Sequence, residues 1–253
     1  VLPLTEAALA TFILVMSRIT GIFLVEPFFG SKTIPAQVKA ALIMVLSLSL
    51  FPLVSIATDA AQINMVFILR IAYEVLIGVV IGFLFLAIFL AVQAAGSFID
   101  LEMGFGLSQA MDPTGNVEST ALSRLYYMLA LVIFLMANGE QLLVKATVVS
   151  FTVFPAGSMV FPKTLAPGVL NVLSDVMLMA VKVAGPVVGA LFIADVVFGV
   201  IARAVPQMNV FVIGFPVKII LGLVAVMVTM PLTVRVLQDL FVQLERILSQ
   251  ALA

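Results

Sequence analysis

Charged residues cut almost every apolar run of this chain short, and that restricts what it can fold into. A bilayer-spanning helix wants about 18 or more apolar residues in a row. Only two charge-free runs are that long, 40–58 and 75–99. The runs at 125–139, 146–162, 183–194 and 219–234 hold 15, 17, 12 and 16 residues. Yet hydrophobic residues make up 64% of the 253, and the mean hydropathy is +1.31. Water is not the main solvent of such a chain. Arg18, Glu74, Asp175, Lys182, Asp195 and Lys218 lie inside or beside apolar stretches. A charge at the centre of a membrane helix costs about 2.5–3.5 kcal/mol on the insertion scale, while each Leu, Ile, Phe or Val returns about 0.3–0.6. These groups therefore need partners, in this chain or in another subunit.

The remaining composition removes whole function classes. Twelve basic and thirteen acidic residues give a net charge of −1, with no basic excess to bind nucleic acid and no polybasic run to hold anionic lipid. Cysteine is absent, so disulfides and thiolate metal sites are excluded. Histidine is absent too, and with it the commonest general base, metal ligand and pH switch. No catalytic residue, metal site or cofactor is expected, and the chain is read as a non-enzyme. Trp is missing and Tyr scarce, so the usual interfacial aromatic belt is lacking, whereas 20 Phe and 13 Met suit adaptable packing between helices. The start, Val1 to Glu6, has no basic region, and the first apolar helix is expected to act as its own insertion signal.

Apolar periodicity and the Pro/Gly breaks predict an all-α chain of about six to eight segments. The first runs from about Thr5 to Glu26, the second from Ala36 to Ile56, and the third from near Gln62 to about Phe98. Arg70 and Glu74 stand four apart in the third, as do Arg235 and Asp239 near the end, and each spacing allows a pair on one face. The stretch from Asp100 to Arg124 is the most polar and holds Gly104, Gly106, Pro113 and Gly115, so it reads as a loop. It also carries Met103, Phe105, Leu107 and Met111, which a solvated loop does not need. Segments at 121–137, 140–154 and 172–204 follow, with Pro186 expected to kink or split the last. A turn over 205–216, a segment over 217–230 and a charged helix after Pro231 complete the chain. Small residues at Gly78 and Gly82, at Ala87, Ala91 and Ala95, and at Gly185 and Gly189 would let helix backbones approach closely. The isolated charges read as structural pairs, because a proton path through Glu74 and Asp195 would need a series of facing ionisable groups. A transporter would show an inverted repeat with paired broken helices. Pro186 has no convincing mate.

One run is more specific: Arg203-Ala-Val-Pro206-Gln207-Met-Asn209-Val-Phe211, followed by Gly214-Phe-Pro216-Val-Lys218. It resembles the signature of the FliR/SctT family of type III secretion export-gate subunits, in its flagellar rather than its injectisome form. Three further stretches agree in the same order: RITGIFLVEPFFGSKTIPAQVKAAL over 18–42, AGSFIDLEMGF over 95–105 followed by Asp112-Pro113, and Ser150-Phe151 with Pro155-Ala156-Gly157. The resemblance covers essentially the whole chain.

It implies integral membrane-type helical hairpins packed in a multi-subunit export-gate complex. The chain would be a channel-forming subunit that passes unfolded flagellar proteins across the bacterial inner membrane. Its partners would be FliP-like and FliQ-like membrane subunits and an FlhB-like subunit, in contact with lipid and without nucleic acid. It would lie at the flagellar basal body, largely at the periplasmic side. Residues 1–170 would be a FliP-like part and 171–253 a FliQ-like hairpin. A plug over about 104–120 would carry Met103, Gly104, Phe105, Gly106, Leu107, Met111 and Pro113 as gate residues. Arg18, Arg70, Glu74, Asp100, Asp195, Arg203, Pro206, Gln207, Asn209, Gly214, Pro216 and Lys218 would serve as interface or structural positions. The alternatives are an injectisome subunit of the SctT type and a proton-coupled small-solute transporter.

Overall fold

The computed structural model describes residues 6–31, 33–54, 65–105, 120–159, 165–207 and 209–250. Among them the regular elements are helical: α1 (Glu6–Val25), α2 (Ala36–Leu50) with a 3-10 turn (Phe51–Leu53), α3 (Met65–Met103), α4 (Ala121–Met136), α5 (Gly139–Val153), α6 (Leu165–Ala204) and α7 (Val210–Gln250). Five helical stretches are long and apolar enough to cross a membrane, and α4 with α5 make a sixth if the pair is one broken span. The chain divides into two compact units, 1–87 with 138–173 and 241–253, and 88–137 with 174–240.

In the first unit α1 is the inner helix. It buries Ala10, Thr11, Leu14, Val15, Arg18, Ile19 and Ile22, positions three and four apart that form one stripe. Leu14, Val15, Ile19 and Phe23 share a core with Leu50, Phe67, Phe151 and Ala156. By contrast, α2 buries only Ser47 and Leu50, so most of it faces outward. The α1–α3 contact is backbone to backbone. A Cβ added to Gly21 would land on the carbonyl of Val75, and one on Gly78 on the carbonyl of Arg18; at Gly82 it would lie 2.8 Å from the carbonyl of Ile22. The Gly78–Gly82 face is thus a close helix approach, whereas Cβ atoms at Gly185 and Gly189 meet nothing within 4 Å.

In the second unit α4 buries Leu122, Ser123, Tyr126, Ala130, Ile133 and Phe134. Phe89 of α3 packs edge-on against Phe134, with ring centroids 5.7 Å apart. The outward faces of α6 and α7 are as greasy as the inward ones, with Phe192, Ile193, Val200, Ile220, Met227 and Val228 each more than half exposed.

Several boundaries differ from those the sequence predicts, among them the start of α6, which lies at Leu165 and not at 172. Polarity places the end of the third segment near Phe98, but α3 continues through Asp100 to Met103. Asp100 and Met103 are fully buried there, so a charge did not mark the start of a loop. Pro186 neither splits α6 nor ends it. Proline removes one N–H, which leaves the carbonyl of Lys182 without its donor but does not interrupt a helix held on both sides. The turn before α7 is confined to 205–209, so Gly214 and Pro216 are helical. Pro231 likewise lies inside α7, not at a boundary.

Candidate functional site

The first centre is built on Arg18. Its side chain is fully buried in α1. Nε donates to Glu74 Oε2 at 2.6 Å, Nη1 to Ser150 Oγ at 3.0 Å and Nη2 to the carbonyl of Phe154 at 2.9 Å. The guanidinium lies over the Phe151 ring, 3.9 Å from its centroid. The other oxygen of Glu74 accepts from the amide of Gly157 at 2.9 Å. A planar fork with several donors suits this geometry in a way that a lysine would not. Family-like stretches that stand 132 residues apart, Arg18 and Ser150, thereby meet in one network that ties α1, α3 and the end of α5. The 3.6-residue period pairs Glu74 with Arg70; the structure gives Glu74 a cation from another helix, 56 residues away.

Just past α1, Glu26 closes the turn that follows. It is fully buried, and it accepts from the amides of Phe28 at 3.0 Å and Phe29 at 2.6 Å. Desolvation by burial pushes its carboxyl above the usual range, against the pull of those two amides. Lys39 Nζ donates to the carbonyl of Gly30 at 2.9 Å and holds the same turn to α2.

The second centre lies where α3 ends. Gly104 has φ +89°, its amide donates to Leu101 O at 3.0 Å, and the amide of Phe105 donates to Asp100 O at 2.9 Å. These two bonds and the left-handed glycine make a Schellman stop. Met103 packs on Gly222 of α7, where an added Cβ would fall 2.7 Å from its Sδ; a Cβ on Gly104 would strike the Phe215 ring. One turn earlier, Asp100 Oδ2 accepts from the amides of Leu122 at 2.9 Å and Ser123 at 3.1 Å. Gly96 makes room for this, because a Cβ there would come within 2.6 Å of Ser123 Cα. Of the residues expected to form the plug, Met103 is the last of α3 and Gly104 and Phe105 form its turn. Gly106, Leu107, Met111 and Pro113 lie outside the described residues.

The expected interface positions are distributed differently. Arg203, Pro206, Gln207 and Asn209 are all exposed at the α6–α7 turn. Gly214 is buried beneath the Phe198 ring, 3.6 Å from where its Cβ would stand, and Pro216 is exposed. Lys218 Nζ donates to Asp195 at 2.8 Å, a bridge between α6 and α7 that spacing alone does not suggest.

Together these features define an all-helical membrane protein held by a buried polar hub and by close glycine contacts. Residues 9–244 match the family described as "Bacterial export proteins, family 1". The chain belongs to that family. It is 30% identical to the flagellar biosynthetic protein FliR of Bacillus subtilis (strain 168), over 91% of this chain and 90% of the relative. It is 27% identical to the FliR of Escherichia coli (strain K12), over 93% and 90%. The surface presentation of antigens protein SpaR of Shigella flexneri is 25% identical over 83% and 80%.

Proposed function

We propose that this chain is the FliR-type export-gate subunit of a flagellar type III secretion apparatus, a non-enzymatic part of the channel that passes unfolded flagellar proteins across the inner membrane. The observation that carries this is the family match over 9–244, with FliR relatives similar along about nine tenths of their length. The SpaR similarity keeps an injectisome role as the second reading.

In this reading the segment over about 104–120 is the plug. Apolar side chains such as Leu107 and Met111 keep a constriction dry until an export substrate displaces them. The sharp stop at Gly104, with Met103 seated on Gly222, supports this by giving the segment a firm starting point. The α6–α7 hairpin within 171–253 is the FliQ-like part, and residues 1–170 the FliP-like part. FliP-like, FliQ-like and FlhB-like subunits cover the exposed apolar faces that one chain leaves open. Arg203, Gln207 and Asn209 are available to them at the turn, whereas Lys218 is engaged by Asp195. The assembled complex sits at the flagellar basal body, largely on the periplasmic side.

Two measurements test the proposal together. Removing the gene should abolish secretion of flagellar proteins, and the tagged protein should copurify with smaller hydrophobic membrane subunits. Undiminished secretion, or a solitary monomer that moves a small solute, would contradict it.

A further inference from the structure

We propose that the end of α3 and the start of α4 hold a monovalent alkali cation, bound by Asp100, Thr120 and Ser123. The site is independent of the export reading and of any role for the residues between Phe105 and Thr120. Asp100 is fully buried in the last turn of α3, and Ser123 is 1% exposed in the first turn of α4. One carboxylate oxygen of Asp100, Oδ2, accepts from the amides of Leu122 and Ser123. The other, Oδ1, has no partner among the described residues, nor do the buried hydroxyl oxygens Thr120 Oγ1 and Ser123 Oγ. Buried polar atoms nearly always have a partner, so three bare oxygens at one helix junction call for a bound group.

The two hydroxyls depart from the habit of this chain. Thr11, Ser17, Ser47 and Thr147 each donate to the carbonyl four residues back in their own helix. Ser123 makes no such bond. Thr120 stands at the cap position with extended backbone, but Asp100 already takes the first-turn amides that its oxygen would cap. Gly96 brings these groups together, since a Cβ there would fall 2.6 Å from Ser123 Cα. The donor set then identifies the ligand. Oxygen-only donors suit a hard cation, and each hydroxyl offers it a lone pair while its proton points away. No Lys or Arg side chain among the described residues pairs with Asp100. No three acidic, His or Cys side chains stand together among them either. One carboxylate balances one positive charge, whereas a divalent ion would leave a second charge uncompensated in the interior. The C-terminal end of α3 adds to the attraction through the negative end of its helix dipole.

The test takes the protein in its isolated membrane complex into sodium, potassium or choline chloride at equal ionic strength. Hydrogen exchange is read at the amides of Leu122 and Ser123, with the thermal midpoint measured alongside. Sodium or potassium should slow this exchange saturably relative to choline, by about tenfold at ten times the half-saturating concentration. Thr120→Val and Ser123→Ala should each raise that concentration by about tenfold. Asp100→Asn keeps an acceptor for the two amides but loses the charge, and it should abolish the salt effect. Equal exchange in the three salts means a buried water only and overturns the proposal. So does an alkali effect that survives undiminished in Asp100→Asn, because the ion then binds elsewhere. If Asp100→Asn does not assemble, the hydroxyl variants decide, and an unchanged half-saturating concentration in both overturns the site.

Discussion

Arg18 and Glu74 show how a membrane chain keeps a full positive and a full negative charge away from lipid. Each is completely buried, and each uses its remaining capacity on neutral groups, Arg18 on Ser150 and Phe154 and Glu74 on Gly157. Removing one partner leaves the other charge stranded, which costs about 3–5 kcal/mol in buried pairs. Arg18→Met or Glu74→Leu alone should therefore lower the thermal midpoint of the detergent-solubilised protein strongly. The two together should cost less than the sum, and additive losses would contradict the pairing. Arg18→Lys should fall with the single losses, since an ammonium cannot reach three acceptors in a plane. Glu26 offers a pH test. Its carboxyl is raised by burial, so its contribution to stability is full below the ordinary carboxylate value and is lost as pH rises through the raised one. The parent should gain stability relative to Glu26→Gln as pH falls through that window; a flat or opposite difference would refute the assignment. At this scale the sequence shows which residues are unusual but not what they touch. Spacing finds i and i+4 neighbours, and it has no means of joining Arg18 to Glu74 or Asp195 to Lys218 across separate helices.

Helices pack in this chain where side chains are missing. At Gly21 and Gly78 the backbones of α1 and α3 touch, and no Cβ fits on either without movement of a carbonyl. Gly78→Ala should destabilise the protein by about 1–3 kcal/mol, the range for overpacking, although alanine is the better helix former. The same change at Gly185, which meets nothing within 4 Å, should be neutral or slightly stabilising in the isolated subunit. A comparison of the two thermal shifts checks this, and equal shifts would contradict it. The Asp195–Lys218 bridge makes a second element-level case. Lys218→Glu should weaken the α6–α7 hairpin by like-charge repulsion, and the swap with Asp195→Lys should recover most of the loss in a proteolysis assay. No recovery would mean that Lys218 acts elsewhere. Helix order was legible from apolar runs. Helix ends were not, because Asp100 reads as a loop residue until its two amide donors on α4 are known, and Pro216 and Pro231 read as breaks although neighbouring turns hold the helix across each.

On the scale of the whole molecule, much apolar surface stays exposed among the described residues. Only 17% of the most apolar window of α7 is buried, against 56% for α1, and the exposed remainder is apolar. A surface of that kind faces lipid or other subunits. The family was legible in the sequence through contiguous motifs, above all 203–218, and the buried contacts of Arg18, Asp100 and Gly96 give several of those motifs a physical reason. The stretch proposed as a gate reads in the sequence only as polar with too many apolar residues, and the structure describes what flanks it: the Gly104 stop, Met103 on Gly222, and Asp100 on α4. The most direct test of a channel closed by this segment is inner-membrane permeability to a small dye or ion after deletion of Gly106 to Gly115, with assembly of the export complex confirmed in the same cells. A plug requires permeability to rise well above that of the parent. Unchanged permeability with the complex fully assembled would contradict it.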